Sequence, residues 1–343
     1  MLQNAGVTAP EIGMKRLKLA LLLGLTLAAQ QAVAATRIVI GTVPNVGDGP
    51  LICAMERGYF REQDIEVDIA PFKTASEMTP LMVRGDLAMM GGGVSVSFFN
   101  SIAQGLPLRY FVNRGQAPVW HSIVVRKGLE GKVKGAKDLK GLRIATSAAG
   151  GLSEYELGKT LETASLSLDD VDTKHLGMPQ SVAAIQTGAV DAGVFVGPFD
   201  TAAIQGGGFH LLYADEMVKP RMEVSGLIYN QDWATKNTAA LDRFTLAYIK
   251  GVRCFLDAEQ PGPAHEEMID GFVKYSAIKD RAIYADMKWT AINPNGRVEV
   301  NSLMDQQDFY MRRGYLKQKL SAEAMFDPGP VERALKILGE RPR

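Results

Sequence analysis

Apolar positions along this chain fall into short runs, and one order of runs is written twice. The cleaner copy opens with Ala183-Ala184-Ile185-Gln186-Thr187-Gly188. This predicts an apolar helix that stops at a glycine, the residue best suited to a left-handed cap. The run Ala192-Gly193-Val194-Phe195-Val196 then predicts a buried strand, halted by Gly197-Pro198. A second helix, Thr201-Ala202-Ala203-Ile204-Gln205, ends at Gly206-Gly207-Gly208, and the strand Phe209-His210-Leu211-Leu212-Tyr213 follows. The other copy reads Leu81-Met82-Val83-Arg84-Gly85-Asp86-Leu87-Ala88-Met89-Met90, then Gly91-Gly92-Gly93. It continues through Phe98-Phe99-Asn100-Ser101-Ile102-Ala103-Gln104-Gly105 to Leu108-Arg109-Tyr110-Phe111, so that Gln104-Gly105 matches Gln205-Gly206.

The echo extends upstream. Arg37-Ile38-Val39-Ile40-Gly41-Thr42 corresponds to Arg143-Ile144-Ala145-Thr146-Ser147, each a strand running into a small, polar loop. A helix pattern (51–59 and 155–163) and a short strand (65–69 and 171–175) follow each loop. A unit of about a hundred residues is too long for a solenoid repeat. The pattern predicts two similar α/β lobes, each with its own core and a cleft between them. The chain crosses between the lobes near 118–126 and again near 221–229, which predicts a two-stranded hinge. The expected division is 36–117 with 227–343 for lobe 1 and 118–226 for lobe 2. Beyond the return strand only helix patterns remain, at 238–256, 263–275, 278–287, 303–313 and 330–338, expected to pack on the first lobe.

Composition narrows the class. Of 343 residues 46% are hydrophobic and 22% charged, a globular balance. Lys plus Arg equals Asp plus Glu at 38 each, with no basic stripe carrying aromatics, which argues against a nucleic-acid partner. Lys15-Arg16-Leu17-Lys18 followed by an apolar stretch over 19–29 and by Ala32-Val33-Ala34 reads as an exported leader. That stretch is shorter than a membrane span. Residues 1–35 are therefore expected to be a signal peptide, with Met14 as a candidate true start and a soluble, periplasmic product. The two cysteines, Cys53 and Cys254, lie in apolar helix patterns. Free buried thiols are expected, although the compartment permits a disulfide.

Candidate chemistry lies in loops at the carboxyl ends of predicted strands, where open α/β sheets bind ligands. The first loop offers Asn45 and Gly47, and the second offers Gly92, Gly93 and Ser95. Ser147, Gly150, Gly151 and Ser153 form the third, and Gly197 with Pro198 the fourth. Such loops expose backbone N–H groups next to helix starts, a setting for an anionic or strongly polar solute. Arg114, Trp120 and Tyr155 fall near these loops and suggest pairing with a carboxylate or stacking on a flat ligand. The four histidines, His121, His175, His210 and His265, are scattered without metal spacing and read as structural or surface groups. No P-loop, nucleophile elbow or metal motif is present, and neither a cofactor nor catalysis is expected.

In this order the motifs resemble the nitrate/sulfonate/taurine-binding, or NMT1/THI5-like, family of periplasmic solute-binding proteins, which also includes pyrimidine-precursor binders. The resemblance rests on Ile40-Gly41 with Leu51, Ala54 and Gly58-Tyr59-Phe60, and on Ile65-Glu66-Val67. It rests also on residues 81–87, on Asp138-Leu139-Lys140-Gly141-Leu142-Arg143-Ile144-Ala145, and on Gly188-Ala189-Val190-Asp191-Ala192. Ala88 stands where the family usually has an acid. The resemblance implies a type II periplasmic binding fold, a small-molecule solute, delivery to an ABC permease, and a monomer. Sulfonates, aromatic carboxylates and pyrimidine-like solutes all fit that expectation. Alternatives are an enzyme of related fold, of pyrimidine-precursor or menaquinone-pathway type, or a binding protein that feeds a sensor. The cysteine-rich motif of the related fungal enzymes is absent.

Overall fold

The computed structural model describes residues 1–2, 35–118, 120–213, 222–276 and 278–342. The expected leader falls almost entirely outside the described residues. The first half carries β1 (Thr36–Thr42), α1 (Gly49–Glu56), β2 (Ile65–Pro71), α2 (Ala75–Arg84), β3 (Met89–Gly93), α3 (Val96–Ala103) and β4 (Leu108–Gln116). After the crossing come β5 (Ser122–Val125), β6 (Arg143–Thr146), α4 (Leu152–Glu162), β7 (Asp172–His175), α5 (Met178–Thr187), β8 (Ala192–Phe195), α6 (Phe199–Gln205) and β9 (Phe209–Tyr213). The chain then runs through β10 (Glu223–Asn230), α7 (Gln231–Lys236), α8 (Thr238–Asp257), α9 (Pro263–Tyr275) and α10 (Arg281–Ala285). It ends in α11 (Val300–Arg312), α12 (Ala322–Met325) and α13 (Gly329–Leu338).

Two mixed sheets result, with orders β2-β1-β3-β10-β4 and β7-β6-β8-β5-β9. In the first, β1 runs parallel to β2 and β3, while β10 is antiparallel to β3 and β4. The second repeats this plan, with β6 parallel to β7 and β8 and β5 antiparallel to β8 and β9. The duplicated runs of sequence occupy equivalent strands in the two lobes. Gly85 and Gly188, the paired glycines, both close their helices in the left-handed conformation at φ +80° and +74°.

Burial follows the helix period. Leu241, Phe244, Tyr248, Val252 and Phe255 recur at three- and four-residue steps along α8, and all are buried with Ile38, Ile40 and Leu51 of the first lobe. Three expectations need correction. Cys53 and Cys254 are not free thiols: they form a disulfide between α1 and α8, with Cα atoms 6.2 Å apart. The packed faces of two adjacent helices bring together residues that spacing did not connect. The helical pattern at 278–287 yields only the short α10, whose start is fixed by Asp280 accepting from the Ala282 amide at 3.0 Å.

The third correction concerns the helical tail, which does not pack on the first lobe alone. α11 also meets α4 of the second, where the Tyr155 and Phe309 rings lie edge to face at 5.2 Å. Gly158 offers no Cβ against the Phe309 ring, so the two helices can approach closely. Buried apolar side chains thus run without a break from Phe99 and Val224 through Leu303 and Tyr310 to Leu157.

Glu223, where the chain re-enters the first sheet, is fully buried. Tyr110 Oη and Asn113 Nδ2 each donate to its Oε1 at 2.8 Å, and the Glu299 amide donates to Oε2 at 2.9 Å. Burial pushes its carboxyl up to about 8, against the opposing pull of these three donors. The folded chain therefore holds more protons than the unfolded chain between the ordinary 4.5 and about 8. Stability should fall as pH rises through that window, by up to ~1.4 kcal/mol per unit for this group. Urea denaturation at pH 5.5 and 8.5 checks this, and Glu223→Gln should flatten the difference.

Candidate functional site

A cavity of about 400 Å³ opens at the carboxyl ends of the central strands of both sheets. The first lobe lines it with Val43, Pro44 and Asn45 after β1, with Lys73, Thr74 and Ala75 at the start of α2, and with Gly92, Gly93, Ser95, Val96 and Ser97 around the β3–α3 turn. The second lobe contributes His121 ahead of β5, the β6–α4 loop from Ser147 to Ser153, Glu156 on α4, and the starts of α5 and α6 at Met178 and Phe199. Val194, Phe195 and Val196 supply an apolar wall.

The local chemistry is that of helix starts. The residues preceding α2, α3 and α4 are Thr74, Ser95 and Gly151, and none makes a side-chain cap bond to its own helix. Ser95 Oγ instead meets Ser97 Oγ at 2.8 Å. Ser153 Oγ accepts from the Ser147 amide at 2.8 Å and meets the Ser147 hydroxyl at 2.9 Å. Amide groups and the positive ends of three helices therefore border one small volume.

The lobes touch here. The Val96 amide donates to the Gly150 carbonyl at 2.9 Å, and the Val46 amide to the Gly197 carbonyl at 3.2 Å. Gly150 sits at φ +63°, and a Cβ there would lie 2.5 Å from a Val96 methyl group, so the position demands glycine on both counts. Glu154 fixes the loop from behind by accepting from the Gly150 amide at 2.5 Å.

Eight of the thirteen residues expected from sequence line the cavity: Asn45, Gly92, Gly93, Ser95, Ser147, Gly150, Gly151 and Ser153. The other five do not. Arg114 is fully buried and donates to Asp48 Oδ1 through Nε at 3.2 Å and Nη2 at 2.6 Å, with Ser225 Oγ 3.4 Å from Nη1. It braces the turn after β1 from within the sheet. Gly47 belongs to that turn, its amide donating to Asn45 Oδ1 at 2.8 Å. Trp120 packs edge-on against Tyr213 at 5.2 Å, with Lys288 Nζ 4.4 Å from its ring centre. Gly197 abuts Met287, and Pro198 borders a small space near Tyr275 and Tyr284. Tyr155 is buried and donates its hydroxyl to Asp305 at 2.5 Å, away from the lining.

Sequence reasoning missed Lys73, Phe195, Phe199 and above all His121 and Glu156. His121 Nδ1 lies 2.5 Å from Glu156 Oε1, with both side chains buried. A signal for Glu156 was present, because it follows Ser153 by three residues and shares its helix face. Asp200, on the first turn of α6, is also buried; loss of solvent raises its carboxyl, opposed by the Thr201 amide and by His121. Among the described residues no three acidic, histidine or cysteine side chains are placed to hold a metal ion.

Two lobes of this strand order with a solute-sized cavity between them define a periplasmic binding protein fold of type II. Residues 45–260 match the family described as NMT1/THI5 like, and the chain belongs to that family. Its structure resembles the periplasmic aliphatic sulphonate binding protein SsuA from Escherichia coli at TM-score 0.67 and 19% identity, covering 84% of this chain and 91% of that one. It resembles the periplasmic nitrate-binding protein NrtA from Synechocystis PCC 6803 at TM-score 0.72 and 15% identity, covering 89% of each. The desulfurization enzyme DSZB shares the fold at TM-score 0.62 and 15% identity, covering 88% of this chain and 99% of that one. A comparison with curated protein sequences finds no significant match.

Two substitutions probe this geometry. Arg114→Ala leaves Asp48 charged and buried without its guanidinium, and should cost about 3–5 kcal/mol of stability in urea denaturation. Gly150→Ala should weaken solute binding by about tenfold in calorimetry, by straining the loop and pressing a methyl on Val96. Pairing it with Val96→Ala should recover part of that loss, and no recovery would show that the lobe contact is unimportant.

Proposed function

We propose that this chain is the exported solute-binding component of an ABC importer, which captures a small polar organic molecule between its lobes and hands it to a membrane permease. The observation that carries this reading is the cavity, bordered by amide-rich turns of both lobes and backed by apolar side chains. A few polar groups on an apolar wall are the usual make-up of a small-molecule site. We assign solute contacts to the Ser95, Ser147 and Ser153 side chains, with Asn45, Gly92, Gly93, Gly150 and Gly151 shaping the turns against which the solute lies. Residues 15–34 fit a cleaved leader, and among the described residues no helix is long and apolar enough to cross a membrane. Kinship with importer binding proteins supports the transport role.

The enzymatic alternative has less support. Both cysteines of the chain are held in the disulfide between α1 and α8, so neither serves as a nucleophile at the cavity. The Ser147 and Ser153 hydroxyls bond each other and not an imidazole. The test is mass spectrometry of small molecules released from the purified, denatured protein, with a thermal-shift panel of sulfonates, aromatic carboxylates and pyrimidines. A bound solute at a hundred times its Kd should add about 2.7 kcal/mol of stability and raise Tm visibly. A protein that releases nothing and is stabilised by no member of the panel would overturn the reading.

A further inference from the structure

We propose, resting on the solute-binding reading above, that Tyr315 is a positioning residue for the cavity: its hydroxyl holds the Glu154 carboxylate that shapes the Gly150 turn and aims that turn at the first lobe. Neither side chain lines the cavity. Glu154 stands at the third position of α4 and is 3% exposed. Its two oxygens have different tasks. Oε2 accepts from the Gly150 amide at 2.5 Å, and Oε1 accepts from Tyr315 Oη at 3.3 Å. A buried carboxylate oxygen left without a donor is costly, and the group then gains by turning away from its remaining partner. Burial, with the nearby Glu154 charge, raises the Tyr315 hydroxyl above its ordinary value, against the pull of Arg313, so it keeps its proton and donates at neutral pH.

The reach of this pair extends to the other lobe. Gly150 gives its N–H to Glu154, and its carbonyl accepts from the Val96 amide at 2.9 Å. Both bonds hang on one residue at φ +63°, so a turn that swings away from Glu154 also misdirects the carbonyl from Val96. Tyr315 is itself held from several directions. Its carbonyl accepts from Asn100 Nδ2 on α3 at 3.4 Å, and its amide donates to the Tyr310 carbonyl at 3.0 Å. Two residues earlier, Arg313 pairs with Asp169 of the second lobe through Nη1 at 3.1 Å and Nη2 at 3.0 Å. A Cβ at Gly150 would lie 3.6 Å from the Tyr315 ring, so the ring also backs the turn. Tyr315 thus stands in the corner between α3 and α4, where the lobes touch, and it comes from the helical tail between α11 and α12.

Amide hydrogen exchange read by NMR on the purified protein, with no solute added, tests this. Tyr315→Phe keeps the ring and removes only the donor. Exchange at the Gly150 and Val96 amides should quicken by at least about threefold, while the amides of β1 and β6 and the Tm stay as in the native protein. Tyr315→Phe should add nothing in a Glu154→Gln background, because both changes act on one carboxylate. Calorimetry with ethanesulfonate, benzoate and uracil reads the consequence for the cavity. Whichever of these the native protein binds should bind Tyr315→Phe at least about threefold more weakly. Native exchange at both amides in Tyr315→Phe overturns the inference, as does uniform quickening of all amides, full additivity with Glu154→Gln, or undiminished affinity. A Glu154→Gln that fails to fold leaves the decision to Tyr315→Phe alone. A native protein that binds none of the three probes counts against the solute reading, and the exchange comparison still decides the role of Tyr315.

Discussion

The antiparallel ladder that β10 makes with β3 and β4 is the constraint on which the architecture turns. Without β10, the inner edges of both neighbours would present unpaired N–H and C=O groups inside the first lobe. Yet β10 is made from chain that has already passed through the second lobe. The second sheet differs, because its five strands, β5 to β9, follow one another along the chain, with β5 gripped by β8 and β9. Only the first sheet is incomplete within its own run of residues. Gly226 on β10 leaves space for the Tyr110 ring from β4, so the inserted strand also seals the core beneath it.

That insertion places the loops that line the cavity. With the central strands fixed, the turns after β1, β3, β6 and β8 all emerge toward one volume, and helix starts follow three of them closely. Arg114 shows how the framework supports the site without entering it. From β4 it reaches beneath the sheet edge to Asp48 and to the Val43 carbonyl, holding the turn that presents Asn45. A buried ion pair contributes little net stability, but it fixes one geometry because either partner alone would be costly.

Much of this was legible in the chain. The duplicated runs foretold two like sheets, since strand length, glycine caps and buried apolar stretches are local properties that a sequence carries openly. The Gly- and Ser-rich turns foretold eight lining residues for the same reason. Arg114 was misplaced because its direction depends on whether a β4 side chain faces the cavity or the sheet interior, which register decides and composition does not. His121 and Glu156 lie thirty-five positions apart. Only the path of the crossing brings them together, and a lone histidine in a sequence gives no sign of its partner. The disulfide escaped for a similar reason, its cysteines being 201 positions apart on two helices whose contact is tertiary. The reach of α11 to the second lobe is written in Gly158, but the role of that glycine emerges only once the Phe309 ring is seen against it.

α11 also acts as a mechanical linkage. Its Ser302 and Gln306 hold the first residue of β10, accepting from the Glu223 amide at 2.8 Å and donating to its carbonyl at 2.7 Å. Asp305 and Phe309, on the same face and a step further along, are interlocked with α4 through Tyr155. Close-packed side chains transmit displacement and do not absorb it. A shift of the loop that leads into α4 would therefore be carried along α11 to the root of the return strand. The loop that borders the cavity and the buried root of β10 are thus tied to one rigid rod.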